Sequence, residues 1–285
     1  MDTREDNNPP GATSIGVWQP VAEKVWVMAC EPENVNIGLV AGTEHVLLVD
    51  TGSTPEQGRA IAESAHALLG RPVDRVVVTH AHYDHLNGLA GIDGVESHGH
   101  ESLGEALTHP LALVRALDLG DLRVEMVHFG PAHTRGDVMV SVPARGVWFT
   151  GDLVETAGDV QVDETSSIET WPTALDGILG GANDQTVFVP GHGPVATRAE
   201  VFEQRANISM LYGSGESLVN RGVRLEQALE ALDTPLLPDG HRHPGASEWE
   251  WPFGIATIRA ALPRVYAELA AHGQVPKTRL PLLNR

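Results

Sequence analysis

The chain has 285 residues, with 19 Lys and Arg against 38 Asp and Glu, for a formal net charge of −19. That length can bury a core unaided, and Cys30 is the single cysteine, so neither an internal disulfide nor a multi-cysteine zinc site can form. The acidity excludes a general nucleic-acid binder, which needs a basic surface, and the 42% hydrophobic content excludes wholesale disorder.

Residues 1–12 are polar and read as a disordered tail. They have no basic n-region followed by an apolar stretch, and no segment approaches the ~18 apolar residues of a membrane span. The expectation is a cytoplasmic protein without a membrane partner. Residues 24–30, 34–40 and 45–50 read as strands of an antiparallel meander, with Cys30 buried in the first. Residues 55–69 read as a helix capped by Thr54 and ended by Gly70. The β-branched run 73–79 is a buried strand that enters the polar loop 80–88. A short strand at 95–98 precedes two expected helices, 101–108 and 111–119. Strand 123–129 leads to the turn 130–136, and strands 137–142 and 146–150 form a hairpin around Pro143, Ala144 and Arg145. A helix at 171–179 and a strand at 186–189 follow. From Arg198 onward the chain reads as helical over 199–219, 225–232 and 255–271, with a Pro-, Gly-, His- and Trp-rich loop at 235–252. Strand groups alternate with helices in two halves. That predicts two sheets, each covered by helices on its outer face, with 13–197 as the core and 198–285 as a helical C-terminal extension packed on it.

Histidine is abundant, at 14 residues against 5 Phe and 3 Tyr. The densest run is Thr79-His80-Ala81-His82-Tyr83-Asp84-His85, four candidate ligands just past a strand end. Extended backbone puts His80, His82 and Asp84 on one side, and a turn is needed to aim Asp84 and His85 at a second position. Imidazoles with a carboxylate suit Zn²⁺ best, with Fe and Mn as the other options. His133, Asp152 and His192 end strands in the same way, in Gly130-Pro131-Ala132-His133-Thr134, Thr150-Gly151-Asp152 and Pro190-Gly191-His192-Gly193. Each alone reads equally as a turn residue. Together with the first run they supply seven ligands.

This ordered set resembles the metallo-β-lactamase superfamily of metallohydrolases over roughly residues 20 to 197. The resemblance implies an α/β fold, a four-layer αβ/βα sandwich with the metals at one edge. It implies His80, His82 and His133 around a first metal, Asp84, His85 and His192 around a second, and Asp152 bridging them. Asp50, in Asp50-Thr51-Gly52, would orient a ligand imidazole. The implied chemistry uses two Zn²⁺ ions whose shared water drops in pKa from near 16 to about 7 and attacks a carbonyl carbon, with Asp84 taking a proton. A homodimer is a further implication of the resemblance.

Departures narrow the branch. Asp152 stands where one penicillin-degrading branch has cysteine and another lacks an acidic ligand, and Glu155 stands where the lactone-cleaving branch has tyrosine. No basic cluster marks the C-terminal helices, and the chain's acidity disfavours the nucleases. The phrases around His133 and His192 look most like a broad group of bacterial hydrolases that includes thioesterase-cyclases. Two segments are candidates for the substrate pocket: 153–171, and 240–253 with His241, His243, Trp249, Trp251 and Phe253. The aromatics either wall the metals or anchor the last helix. The leading expectation is a dinuclear zinc hydrolase acting on a small ester, thioester, lactone or amide, β-lactams included. The alternatives are a mononuclear iron sulfur dioxygenase of the same fold and a non-catalytic metal-binding module.

Overall fold

A computed structural model describes residues 11–236, 241 and 243–277. The tail expected at 1–12 therefore lies outside the described residues, apart from Gly11 and Ala12, as do parts of the Trp-rich loop. The first half runs β1 (Ser14–Ile15), β2 (Gln19–Ala22), β3 (Val25–Glu31), β4 (Val35–Ala41), β5 (Val46–Val49), α1 (Pro55–Leu69), β6 (Arg75–Val77), α2 (Tyr83–Leu86), β7 (Glu96–His100) and β8 (His109–Leu111). The second half runs β9 (Val114–Asp118), β10 (Arg123–Val127), β11 (Met139–Val142), β12 (Val147–Gly151), α3 (Trp171–Gly180), β13 (Val187–Pro190), α4 (Arg198–Asn220), α5 (Leu225–Asp233) and α6 (Ile255–Ala271).

The strands form an eight-stranded sheet, ordered β1-β3-β4-β5-β6-β7-β8 with β2 also paired to β3, and a five-stranded sheet ordered β13-β12-β11-β10-β9. Side chains alternate between layers because successive residues of a strand face opposite sides. On β5, Leu47 and Val49 enter the core between the sheets, while Val46 and Leu48 pack under α1 with Ile61 and Ala65. On β12 and β13, Val147, Phe149 and Val189 fill that same central core, while Phe188 faces α3, α4 and α6. Strands covered on both faces read as unbroken apolar runs, as β5 does in Val-Leu-Leu-Val. The result is four layers, helix, sheet, sheet and helix. Cys30 is buried in β3, where burial pushes its thiol up to about 12.

The strand ends carry the site. Residue 50 follows β5, the His80–His85 run follows β6, Asp152 follows β12 and His192 follows β13, and these four strands belong to the parallel pairs β5–β6 and β12–β13. The C-terminal ends of parallel strands are where α/β sheets leave room for ligands. The two sheets are stitched here: Asn36 of β4 donates its backbone N–H to the Gly191 carbonyl (2.7 Å) and its amide to the Pro190 and Gly193 carbonyls (3.0 and 2.8 Å).

One segment differs from the sequence expectation. The helix predicted over 111–119 is the end of β8 followed by β9, and 101–106 is a 3₁₀ stretch rather than an α-helix. Leu, Ala and Arg favour helix intrinsically, but here β9 pairs antiparallel with β10 along Val114 to Asp118 and shows strict period-two burial. Pairing with a waiting sheet edge outweighs a local preference of a few tenths of a kcal/mol per residue.

Candidate metal centre

The loop after β6 is held from both sides. Asp50 has a left-handed backbone (φ 65), which Asp tolerates better than most residues, and this turns its carboxylate under the loop. Its Oδ1 accepts the Thr79 N–H (2.7 Å), and its Oδ2 accepts the Thr79 hydroxyl (2.9 Å) and contacts His85 Nδ1 (2.8 Å). The loop around His133 is closed by Asp137, which accepts the Thr134 N–H and hydroxyl (2.8 and 2.7 Å). Burial pushes the Asp137 carboxyl up to about 7. Gly191 is required where it stands, because a Cβ there would run into Asp152 Oδ1.

The structure brings all seven expected ligands together in two adjoining sets, His80, His82, His133 and Asp152, and Asp84, His85 and His192. Every histidine uses one ring nitrogen outward and one inward. The outward contacts are His80 Nδ1 with the Thr79 hydroxyl (3.0 Å), His82 Nε2 with Asp163 (2.9 Å) and His85 Nδ1 with Asp50 (2.8 Å). His133 Nδ1 donates to the Gln161 carbonyl (3.2 Å) and His192 Nδ1 to the Glu33 carbonyl (2.8 Å). These outer partners fix each tautomer and leave the inner nitrogens as lone-pair donors.

The inner nitrogens converge. His82 Nδ1 lies 3.1 Å from His80 Nε2 and 2.9 Å from His133 Nε2. Asp152 spans the sets, with Oδ2 at 3.5 and 3.4 Å from His80 and His133 and Oδ1 at 3.2 and 3.4 Å from His85 and His192. Asp84 Oδ2 lies 3.3 Å from His192 Nε2. Buried His85 Nε2 and Asp152 Oδ1 have no hydrogen-bond partner. Lone pairs at contact distance, with orphaned polar atoms beside them, are what a divalent cation would satisfy. In the metal-free protein burial opposes charge on His85 and His192, but Asp152 and Asp84 outweigh it and raise both, so protons stand in for the cation. The residues fit a divalent metal centre. Burial also holds His80 at about 4 and His133 at about 3, so both rings are neutral at pH 7, the form that ligates.

The centre opens into a cleft of about 320 Å³ lined by His82, Asp84, His133, Asp152 and His192 together with Glu33, Tyr83, Gln161, Val162 and Asp163. Of the two segments expected to form the pocket, 153–171 reaches it, and none of the described residues of 240–253 lines it. His241 is exposed, His243 turns back on its own loop to accept the Gly245 N–H (3.0 Å), and Trp249 lines a separate hollow against α5. Trp251 and Phe253 pack on the helical cluster of α3, α4 and α6. Trp251 and Phe253 therefore pack with the helices rather than over the metal cleft, and Trp249 stays largely exposed. Glu33, Tyr83, Gln161 and Asp163 have no individual signal in the sequence beyond one. Asp163 opens Asp163-Glu164-Thr165-Ser166, and its Oδ1 accepts the Thr165 N–H (2.6 Å) in an Asx turn that points Oδ2 at His82.

Residues 30–195 match the profile of the metallo-β-lactamase superfamily. The metallo-β-lactamase type 2 of Bacillus cereus is 26% identical over 179 residues, 56% of this chain and 68% of its own. The human acyl-coenzyme A thioesterase MBLAC2 is 29% identical over 166 residues, 42% of this chain and 58% of its own. Among solved structures, the mono-zinc form of metallo-β-lactamase FIM-1 from Pseudomonas aeruginosa superposes with a TM-score of 0.59 at 24% identity, covering 72% of this chain and 97% of that one. A metallo-β-lactamase from Erythrobacter litoralis superposes at 0.58 with 23% identity, covering 68% and 95%. With its profile match spanning more than half the chain, its sandwich shared and its histidine–aspartate clusters assembled, the protein belongs to the metallo-β-lactamase superfamily and is a metal-dependent hydrolase.

Proposed function

We propose that the protein is a dinuclear zinc hydrolase that cleaves the carbonyl–heteroatom bond of a small neutral or cation-bearing ester, thioester, lactone or amide. The observation that carries the reading is Asp152, whose two oxygens face the two ligand sets separately. Two zinc ions supply an acidified water and an electrophile for a carbonyl oxygen. His80, His82 and His133 would hold one ion, Asp84, His85 and His192 the other, and Asp152 both. A mononuclear iron enzyme would have no use for the second set.

The chain's own groups set the remaining terms. Asp84 lines the cleft. Burial opposes its charge, but in the metal-free protein protonated His85 and His192 outweigh burial and hold it at about 2; a metal held by the same neutral rings would keep it ionised, a carboxylate beside the attacking water. Burial, with the Glu33 carboxylate accepting its O–H (2.9 Å), raises the Tyr83 phenol, so Tyr83 stays a protonated rim group. No Lys or Arg is among the described residues lining the cleft, whereas Glu33 and Asp163 place carboxylates there. Anionic substrates would find only the metals to bind, which favours neutral or cationic acyl compounds over polyphosphate-bearing thioesters. The volume suits a small ligand.

The test is metal quantification together with a panel of esters, thioesters, lactones, amides and β-lactams. About two zinc ions bound at this centre, lost in its ligand variants, and zinc-restorable turnover are expected. Asp152→Ala and His133→Ala should abolish turnover and reduce bound zinc. One iron per chain, or full activity after metal removal, would overturn the reading.

A further inference from the structure

A third histidine–carboxylate cluster lies away from the cleft, on strands β7 and β8. Glu96 and His98 are two residues apart on β7 and so share a face, and His109 of β8 is the register partner of His98 across the parallel pair. Ligand atoms of the three lie within 4.8 Å of one another. The His98 and His109 rings sit 5.2 Å apart and tilted by 35°. None of the three lines the metal cleft.

His98 is the independent signal. It is 1% exposed, and neither ring nitrogen has a hydrogen-bond partner. Burying an imidazole with both nitrogens unsatisfied forfeits its hydration without replacement, so a native protein rarely keeps one without something to bind. Burial, then His109 and Arg115, hold the His98 ring at about 4, so both its neighbours and its surroundings keep it neutral at pH 7. Its partners are ready for the same ligand. The Thr108 hydroxyl occupies His109 Nδ1 (2.9 Å), leaving Nε2, and Arg75 Nε takes only Oε2 of Glu96 (3.2 Å). Arg75 and Arg115 are cations close by, but Asp74, 3.6 Å from Arg75, and Glu96 offset their charge.

We infer that Glu96, His98 and His109 form a further divalent-metal site, with a donor set that suits zinc, that clips the edge strand β8 to β7. Two imidazoles and a carboxylate are a zinc donor set, and with three protein ligands a water would complete the tetrahedron. The site has a structural purpose that its place in the fold supplies. β8 has three residues and stands at the sheet edge, and two residues later the chain enters β9 of the other sheet. A metal there fixes the point at which the chain crosses between the sheets.

The experiment is a zinc titration of metal-stripped, full-length protein, read by calorimetry and by cobalt substitution spectra. The wild type is compared with His109→Gln, at an exposed position, and with His98→Ala. Both variants should bind one equivalent fewer than wild type, and His109→Gln should keep the wild-type hydrolytic rate. The same pair is then made on an Asp152→Ala, His133→Ala background. There the residual equivalent should survive and disappear with His109→Gln, whatever the fate of the dinuclear reading. Equal zinc content in wild type and His109→Gln on both backgrounds would overturn the inference, as would a third equivalent that binds only at millimolar zinc.

Discussion

At the scale of single residues, the centre is made by what stands behind the ligands. Asp163 holds His82 through its outer nitrogen (2.9 Å) and is itself held by the Ser166 hydroxyl, which accepts the Asp163 N–H (3.0 Å) and donates to the His133 carbonyl (2.7 Å). Removing such a partner of a metal-bound imidazole typically lowers metal affinity by about 10- to 100-fold. Asp163→Ala should do so, measured by chelator competition, with little loss of thermal stability in the metal-free protein; an unchanged affinity would show that His82 needs no such support. The seven converging side chains are legible in the sequence because each sits in a short run of small and polar residues at a strand end. Asp50 is legible for the same reason. Asp163 and Glu33 are not, because Asp163 reaches His82 from 81 positions away and Glu33 reaches His192 from 159, and Tyr83 and Gln161, which enter the cleft as non-ligands, carry no pattern of their own.

Among the elements, α1 matters most to the site. Thr54 caps it by accepting the Gln57 N–H, and Gly70 ends it in a left-handed turn. Its Gly58 lies against the backbone of Gly88, just beyond Asp84 and His85, and a Cβ on Gly58 would run into the Gly88 carbonyl. Gly58→Ala should therefore cost about 1–3 kcal/mol, the usual penalty for overpacking, despite alanine being the better helix former. Denaturant titration would measure it, and a stabilised variant would contradict the close approach. α6 supports the centre from the other side. Glu268 accepts the N–H groups of Ile168 and Glu169 (3.0 and 3.1 Å), and Arg264 donates to the Ser166 carbonyl (2.8 Å), so a C-terminal helix braces the segment that carries Asp163. Helices with their own caps, such as α1 and α4, or with an apolar face repeating every three to four residues, such as α6, can be read from sequence. β9 cannot, because its strand character comes from pairing with β10, a contact that its helix-favouring Leu and Ala do not announce. Trp251 belongs to this scale as well. Trp251→Ala should lower the melting temperature and leave KM unchanged, since the ring packs on the helical cluster; a raised KM with normal stability would return it to the pocket.

For the whole molecule, the ligands come from both sheets. His80, His82, Asp84 and His85 follow a strand of the first, and His133, Asp152 and His192 follow strands of the second. A ligand present at about a thousand times its dissociation constant stabilises a fold by about 4 kcal/mol, so chelation should lower the melting temperature by on the order of 10 °C. Calorimetry with and without EDTA, followed by zinc add-back, checks this; an unchanged transition would mean that the sandwich does not depend on its centre. The two-sheet, helix-flanked architecture was readable from alternation of strand groups and helices, but the stitching of β4 to the segment after β13 through Asn36 was not, since it joins residues 154 positions apart. That seam has a consequence for time rather than for energy. A metal held by ligands on both sides of the seam would have to shed donors of both sheets before it left through the cleft. Loosening the seam with Asn36→Ala should then speed isotopic zinc exchange, and an unchanged exchange rate would show that release does not depend on it.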